Sequence, residues 1–179
     1  MDIQVIIRRC LENNRQAQEE LYKRFFPVMM PLCMRYVRDR NDALELLNDA
    51  FLKVFKQLAA YDASKASLYT WIRKIVINTA IDCLRRQDRA REQEILPVDE
   101  GGPRIDNEAI SKMSGDELLK LLLRLPTTTR LVFNLFSVEG FAHREIAAML
   151  EISEGTSRWH LSEARRQLKL IMHIIETNT

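Results

Sequence analysis

Apolar residues recur along this chain at helical intervals almost from its first residue. A short apolar stretch covers residues 3–11, and Ala17, Leu21 and Phe25 then follow at four-residue spacing. Pro27 and Pro31 interrupt that run, and prolines at such positions predict a kink or a restart. Leu44, Leu47, Phe51, Val54 and Leu58 are spaced three, four, three and four, a clean amphipathic stripe. A further segment from about Ser67 to Arg86 carries Leu68, Ile72, Ile75 and Thr79 on one face.

The pattern lapses once. Residues 93–103, QEILPVDEGGP, gather two prolines, a Gly-Gly pair and several acids with no helical stripe, which predicts a loop or flexible tether. Beyond it, Asp116–Arg124 is Leu-rich and stops at Pro126, which is placed to open the next helix, Thr127–Val138. Glu139-Gly140 breaks that helix. Another follows at about Ala142–Leu150, then a three-residue turn, Glu151-Ile152-Ser153. The last helix starts near Glu154 with Ser153 as its N-cap and runs to about Ile174.

Composition narrows the class. Of 179 residues, 46% are hydrophobic, too many for a disordered chain, and with only 5 Gly and 5 Pro there are too few turn formers for a β-sandwich. No apolar run is long enough to insert in a membrane. The start, Met1-Asp2-Ile3-Gln4, lacks the charged and apolar blocks of a secretion signal, so a cytoplasmic protein is expected. Cys10, Cys33 and Cys83 are odd in number and far apart, which disfavours both a disulfide framework and a structural zinc site. There is no phosphate-cradling Gly loop, no G-x-S-x-G and no H-E-x-x-H. Neither catalysis, a cofactor nor a metal is expected.

The net charge of +2 hides a division. Residues 1–90 hold 16 Lys/Arg against 11 Asp/Glu, residues 91–115 hold 3 against 6, and residues 116–179 hold 8 of each. Three constellations stand out. The last two helices read as a helix-turn-helix, with Ile146, Ala147 and Leu150 facing inward from the first. In the second, Leu161, Ala164, Leu168 and Ile171 form the inner stripe, while Arg158, Ser162, Arg165 and Lys169 form an outer one suited to phosphates and base edges. Upstream, Tyr61, Tyr69 and Trp71 lie beside Lys65, Arg73 and Lys74, a mixture suited to single-stranded nucleic acid. Core packing accounts for Trp71 equally well. Asp42, Glu45 and Asp49 make an acidic stripe with Asn48 alongside, fitting either a basic partner or plain solvation.

In order, these segments resemble the extracytoplasmic-function (ECF) group of bacterial RNA polymerase sigma factors, in the sigma-70 family. The resemblance rests on LYKRFFP at 21–27, DALELLNDAFLKVF at 42–55 and WIRKIVINTAID at 71–82. It continues in Leu125-Pro126, Glu145-Ile146-Ala147 and ISEGT at 152–156, and covers nearly the whole chain. It implies an all-α fold of two small helical domains, 1–91 and 115–179, joined by a flexible acidic linker at 92–114, the second domain a helix-turn-helix.

The resemblance also implies a job: binding core RNA polymerase, directing it to a promoter and helping to open the DNA. Asp42, Glu45, Leu46, Asn48 and Asp49 match the surface that docks on the clamp helices of the polymerase's largest subunit. Tyr61, Lys65, Ser67, Tyr69, Trp71, Arg73, Lys74 and Asn78 fall in the part that reads the opened minus-ten element. Glu154, Thr156, Arg158, Trp159, Ser162, Arg165, Arg166 and Lys169 fall in the reader of the minus-thirty-five element. An anti-sigma factor is implied as a further partner, and the free protein is expected to be a monomer. A sigma-like decoy for an anti-sigma factor, or a helix-turn-helix repressor, are the competing readings. The chain departs from the family's pattern at Ser157, where a β-branched apolar residue is usual, and at His160, Ser162 and Glu163, where basic residues are frequent. Leu44 stands where the docking helix usually has an acid.

Overall fold

The computed structural model describes residues 2–37, 39–92 and 121–177, with side chains outside 87–92 and 171–177. The described residues are helical with no strand, and they divide into two compact units, Met1–Cys83 and Leu84–Thr179. The expected acidic linker, most of the expected helix Asp116–Arg124 and the side chain of Ile171 lie outside the described residues.

The first unit contains α1 (Ile3–Leu11), α2 (Arg15–Met34), α3 (Arg40–Gln57) and the start of α4 (Leu68–Glu92), with a 3-10 turn at Leu58–Ala60. Three starts are capped as their sequences dictate. Asp2 accepts from the Gln4 N–H, Asn14 from the Ala17 N–H at 3.0 Å, and Asp39 from the Asn41 and Asp42 N–H groups at 2.7 and 2.9 Å. α1 packs on α2 and α2 on α3 around Ile6, Leu21, Met29, Leu47, Phe51 and Ile72. Buried Cys10 and Cys33 serve as small hydrophobes; burial pushes the Cys33 thiol up to about 12, far from a reactive thiolate at neutral pH.

Two expectations change here. α2 continues through Pro27 and Pro31 without a restart. Both prolines are exposed, so the backbone bonds they forfeit fall on the solvent side, while Phe25, Met29, Met30, Leu32 and Cys33 anchor the helix to the core. The stripe of α3 is also rotated: Leu44 is exposed, and Ala43, Leu46, Leu47, Ala50, Phe51 and Val54 point inward.

The second unit contains α5 (Thr127–Phe133), a π-helical turn (Asn134–Val138), α6 (His143–Leu150) and α7 (Glu154–Thr177). Gly140, at φ +79°, provides the break expected at Glu139-Gly140, because this left-handed backbone suits glycine. The Glu145 carboxylate folds back onto the Ala142 N–H at 2.8 Å and fixes the start of α6. Glu151, at φ +56°, ends it, and the Ile152 N–H reaches back to the Ala147 carbonyl at 3.1 Å. Ser153 caps α7 as expected, accepting from the Thr156 N–H at 3.0 Å. Both α5 and α6 pack on α7.

Candidate nucleic-acid and protein interfaces

The acidic stripe of α3 divides into an outer face and an inner anchor. Asp42, Glu45, Asn48 and Asp49 are exposed, together with Leu44 and Leu52. Leu46 turns the other way and is 3% exposed, so the expectation that it forms part of the surface is corrected: it seats α3 in the core. The side-chain carbonyl of Asn48 accepts a hydrogen bond from the Tyr22 hydroxyl at 2.8 Å. Tyr22, on α2, was not singled out in the sequence; its place in the 21–27 segment was the available signal.

The segment leading into α4 is built around its own aromatic pair. Tyr61 and Trp71 stand 5.5 Å apart with rings tilted by 51°, and both are half-buried. The Tyr61 hydroxyl donates to the Ala66 carbonyl at 3.2 Å, tying down the loop between them. Asp62 accepts from the Ser64 N–H and hydroxyl at 2.9 and 2.7 Å, bonds that hold its carboxyl below the usual range, and it pairs with exposed Lys65. Ser67 caps α4, accepting from the Thr70 N–H at 3.1 Å. Tyr69, Lys74 and Asn78 are exposed and Arg73 is half-buried. Trp71 packs on Tyr61 with one side while part of the indole reaches solvent.

The outer stripe of α7 is partly engaged by acids. Arg158 pairs with Glu154 one turn earlier at 3.0 Å, both exposed. Arg166 is gripped through two nitrogens by Glu163, at 2.8 and 2.5 Å, and both side chains are largely covered. Gln167 donates to the same carboxylate at 2.6 Å. Arg166, expected to face DNA, is held against its own helix by this pair with Glu163 one turn away. Thr156, Trp159, Ser162 and Lys169 are exposed, Trp159 at 56%, and Arg165 is half-exposed.

Ser157 and His160, two of the departures on this helix, have partners on other helices. Ser157 is fully buried, and its hydroxyl shares a 2.9 Å hydrogen bond with His143 Nδ1 at the start of α6. The His143 ring is stacked on Phe136, 4.4 Å away. His160 Nδ1 and the buried Thr129 hydroxyl are 3.0 Å apart. Burial lowers both imidazoles below their ordinary pKa; the cations Arg158 and Arg165 reinforce this at His143, while Glu154 opposes it there and Glu163 at His160.

A short exposed acidic helix face precedes a basic aromatic segment and then a separate helix-turn-helix, and comparison with known proteins accounts for that order. The family model for Sigma-70 region 2 matches residues 21–90, and that for Sigma-70, region 4 matches residues 115–168. Together they span more than half of the chain. The chain belongs to the sigma-70 family, in its ECF group. It is similar to the ECF RNA polymerase sigma-E factor of Haemophilus influenzae, 24% identical with 93% of each chain covered. It is 26% identical to that of Escherichia coli K12, over 92% of this chain and 91% of the relative. Two solved structures share the fold. CnrH, solved with the cytosolic domain of CnrY, aligns with a TM-score of 0.52 at 18% identity, over 95% of this chain and 96% of the other. The sigma factor RpoE of Bartonella quintana, solved with the anti-sigma factor NepR, aligns at 0.55 and 17% identity, over 86% and 97%. As a sigma factor the chain is a transcription regulator, and no helix among its described residues is long and apolar enough to cross a membrane.

Proposed function

We propose that this sigma factor divides promoter recognition between its two units, with residues 1–91 docking on core polymerase and reading the minus-ten element, 92–114 linking, and 115–179 reading the minus-thirty-five element. The observation that carries the reading is the order of region 2 and region 4 in one chain, each with a differently charged exposed face. Asp42, Glu45, Asn48 and Asp49 meet the polymerase, where opposite charges speed and orient docking. Tyr61, Tyr69 and Trp71 offer rings to unpaired bases, each stack worth about 1–3 kcal/mol, enough to bias a marginal opening of the duplex. Lys65, Arg73 and Lys74 hold the strand's phosphates, with Ser67 and Asn78 as neutral donors beside them.

On α7, Arg158 lies near the helix start, where recognition helices meet base edges, with Glu154, Thr156, Trp159 and Ser162 around it. Arg165 and Lys169, further along, suit phosphates. The protein contributes no catalysis; the polymerase makes the RNA. It acts in the cytoplasm, as a monomer before it joins the polymerase. An anti-sigma factor is a further partner, supported by the two fold relatives solved as complexes. Transcription in vitro with core polymerase and genomic DNA tests the whole reading. Discrete new transcripts that depend on the chain are expected; their absence, with polymerase otherwise active, would favour a decoy that only sequesters an anti-sigma factor.

A further inference from the structure

Between Asp42 and Leu52 the exposed polar side chains of α3 are, with one exception, hydrogen-bond acceptors only. Asp42, Glu45 and Asp49 carry carboxylates, and Leu44 and Leu52 add apolar surface. Asn48 is the exception, because its amide carries two N–H donors. That amide is not left to rotate. Its oxygen takes the Tyr22 hydroxyl proton at 2.8 Å, and the Tyr22 ring is itself fixed edge-on against buried Phe51 at 4.8 Å and tilted against Phe26 at 5.7 Å. Two helices therefore meet in one directional contact at the surface, backed by an aromatic cluster.

We infer that Tyr22 is a positioning residue of the docking face: it occupies the carbonyl end of the Asn48 amide and so keeps the donor end turned to an acceptor on the polymerase. The inference rests on the reading that α3 docks there. An amide fixed before contact loses less rotamer freedom on binding than a free one, and the face then offers a donor at one register among carboxylates. Burial also raises the Tyr22 phenol above its ordinary pKa, so the hydroxyl keeps the proton it donates throughout the neutral range.

The test is titration of the full-length chain, labelled at a surface site, with core polymerase. Tyr22→Phe removes only the hydroxyl and is expected to weaken binding about five-fold with the melting temperature unchanged. Asn48→Ala should weaken binding at least as much, and adding Tyr22→Phe to Asn48→Ala should cost nothing more, because the hydroxyl then has nothing to orient. Equal losses from Tyr22→Phe on both backgrounds, or a fall in melting temperature that accounts for the loss, would overturn the inference. Asp49→Arg separates it from the docking reading. If Asp49→Arg weakens binding while Tyr22→Phe does not, the positioning role falls and docking stands. If none of the three substitutions changes affinity, docking through α3 falls, and the role of Tyr22 with it.

Discussion

The two units position their binding helices by different means. In the first, α3 is held by a largely apolar core: among the described residues Thr79 and Tyr36 are its buried side chains that carry a hydroxyl, and that of Thr79 donates to the Ile75 carbonyl of its own helix at 2.8 Å. In the second, Thr129, Arg130 and Asn134 are buried on α5 and the turn after it and Ser157 on α7 itself, and two contacts of α7 with other helices run through histidines. Apolar packing is tolerant of direction, whereas a hydrogen bond is not. The acidic face of α3 should therefore survive small changes in its core chemistry, and the setting of α7 should follow the chemistry of single atoms.

The largest effect expected is in the first unit. Leu47→Ala removes a fully buried side chain beneath the acidic face of α3 and should destabilise the first unit by about 2–5 kcal/mol. The chain has two tryptophans, Trp71 in the first unit and Trp159 in the second, so Trp159→Phe leaves a fluorescence reporter of this unit's unfolding. A loss reported equally by Trp159 in a Trp71→Phe chain would show the two units melting as one.

The second prediction contrasts two hydroxyls. Ser157→Ala leaves His143 Nδ1 without its buried partner and should cost about 1–3 kcal/mol, read by Trp159. Thr79→Val keeps the shape and removes a hydroxyl whose acceptor, the Ile75 carbonyl, already lies in the helical ladder. That change should stay within about 0.5 kcal/mol. Equal costs at the two positions would erase the distinction between the units.

Base reading supplies the third. Arg158→Ala should relax preference at one or two minus-thirty-five positions, by about 1–3 kcal/mol if the arginine pairs with a guanine. Lys169→Ala should instead weaken binding evenly and reduce the salt slope by about one. Selection from a promoter library with both variants tells these outcomes apart, and an unchanged preference for Arg158→Ala would move base reading elsewhere on α7.

Acid should separate the units more gently. All three histidines, His143, His160 and His173, lie in the second unit. His143 and His160 have folded pKa values below the ordinary 6.5, so the folded state binds their protons less readily than the unfolded state. Their stabilising contribution is complete above about pH 6.5 and is lost as pH falls below it. In the first unit the depressed groups are the carboxylates Glu19, Asp39 and Asp62, whose contribution holds until about pH 4. Between pH 7 and 5 the melting temperature reported by Trp159 should fall and that reported by Trp71 should hold.

The smallest effect concerns Glu154, whose exposed pair with Arg158 contributes at most about 0.5 kcal/mol to stability. Glu154→Gln should leave melting unaltered while freeing Arg158 for DNA, so affinity for the minus-thirty-five element should rise. A fall would mean that Glu154 itself contacts a base.

What could be read from the sequence alone was whatever depends on local spacing. The helical class, the break at Glu139-Gly140, the Ser153 cap and the basic and acidic stripes follow from intervals of three and four and from short-range capping chemistry. The family resemblance came from the order of such segments. Tertiary structure decided what depends on groups distant in sequence. Pro27 and Pro31 sit in an unbroken helix because the neighbouring apolar residues have a core to hold them. Leu44, inward by its spacing, is exposed and Leu46, outward by the family resemblance, is buried, because two residues turn a helical side chain by about 200° and the position of α2 selects which faces inward. Arg166 is paired with Glu163 and largely covered, which its basic character alone did not indicate. Ser157 looked like a defect in an apolar stripe, and its partner, His143, lies fourteen residues away on another helix. Only folding brings those two atoms within 2.9 Å, and a buried hydroxyl costs little once it has such a partner.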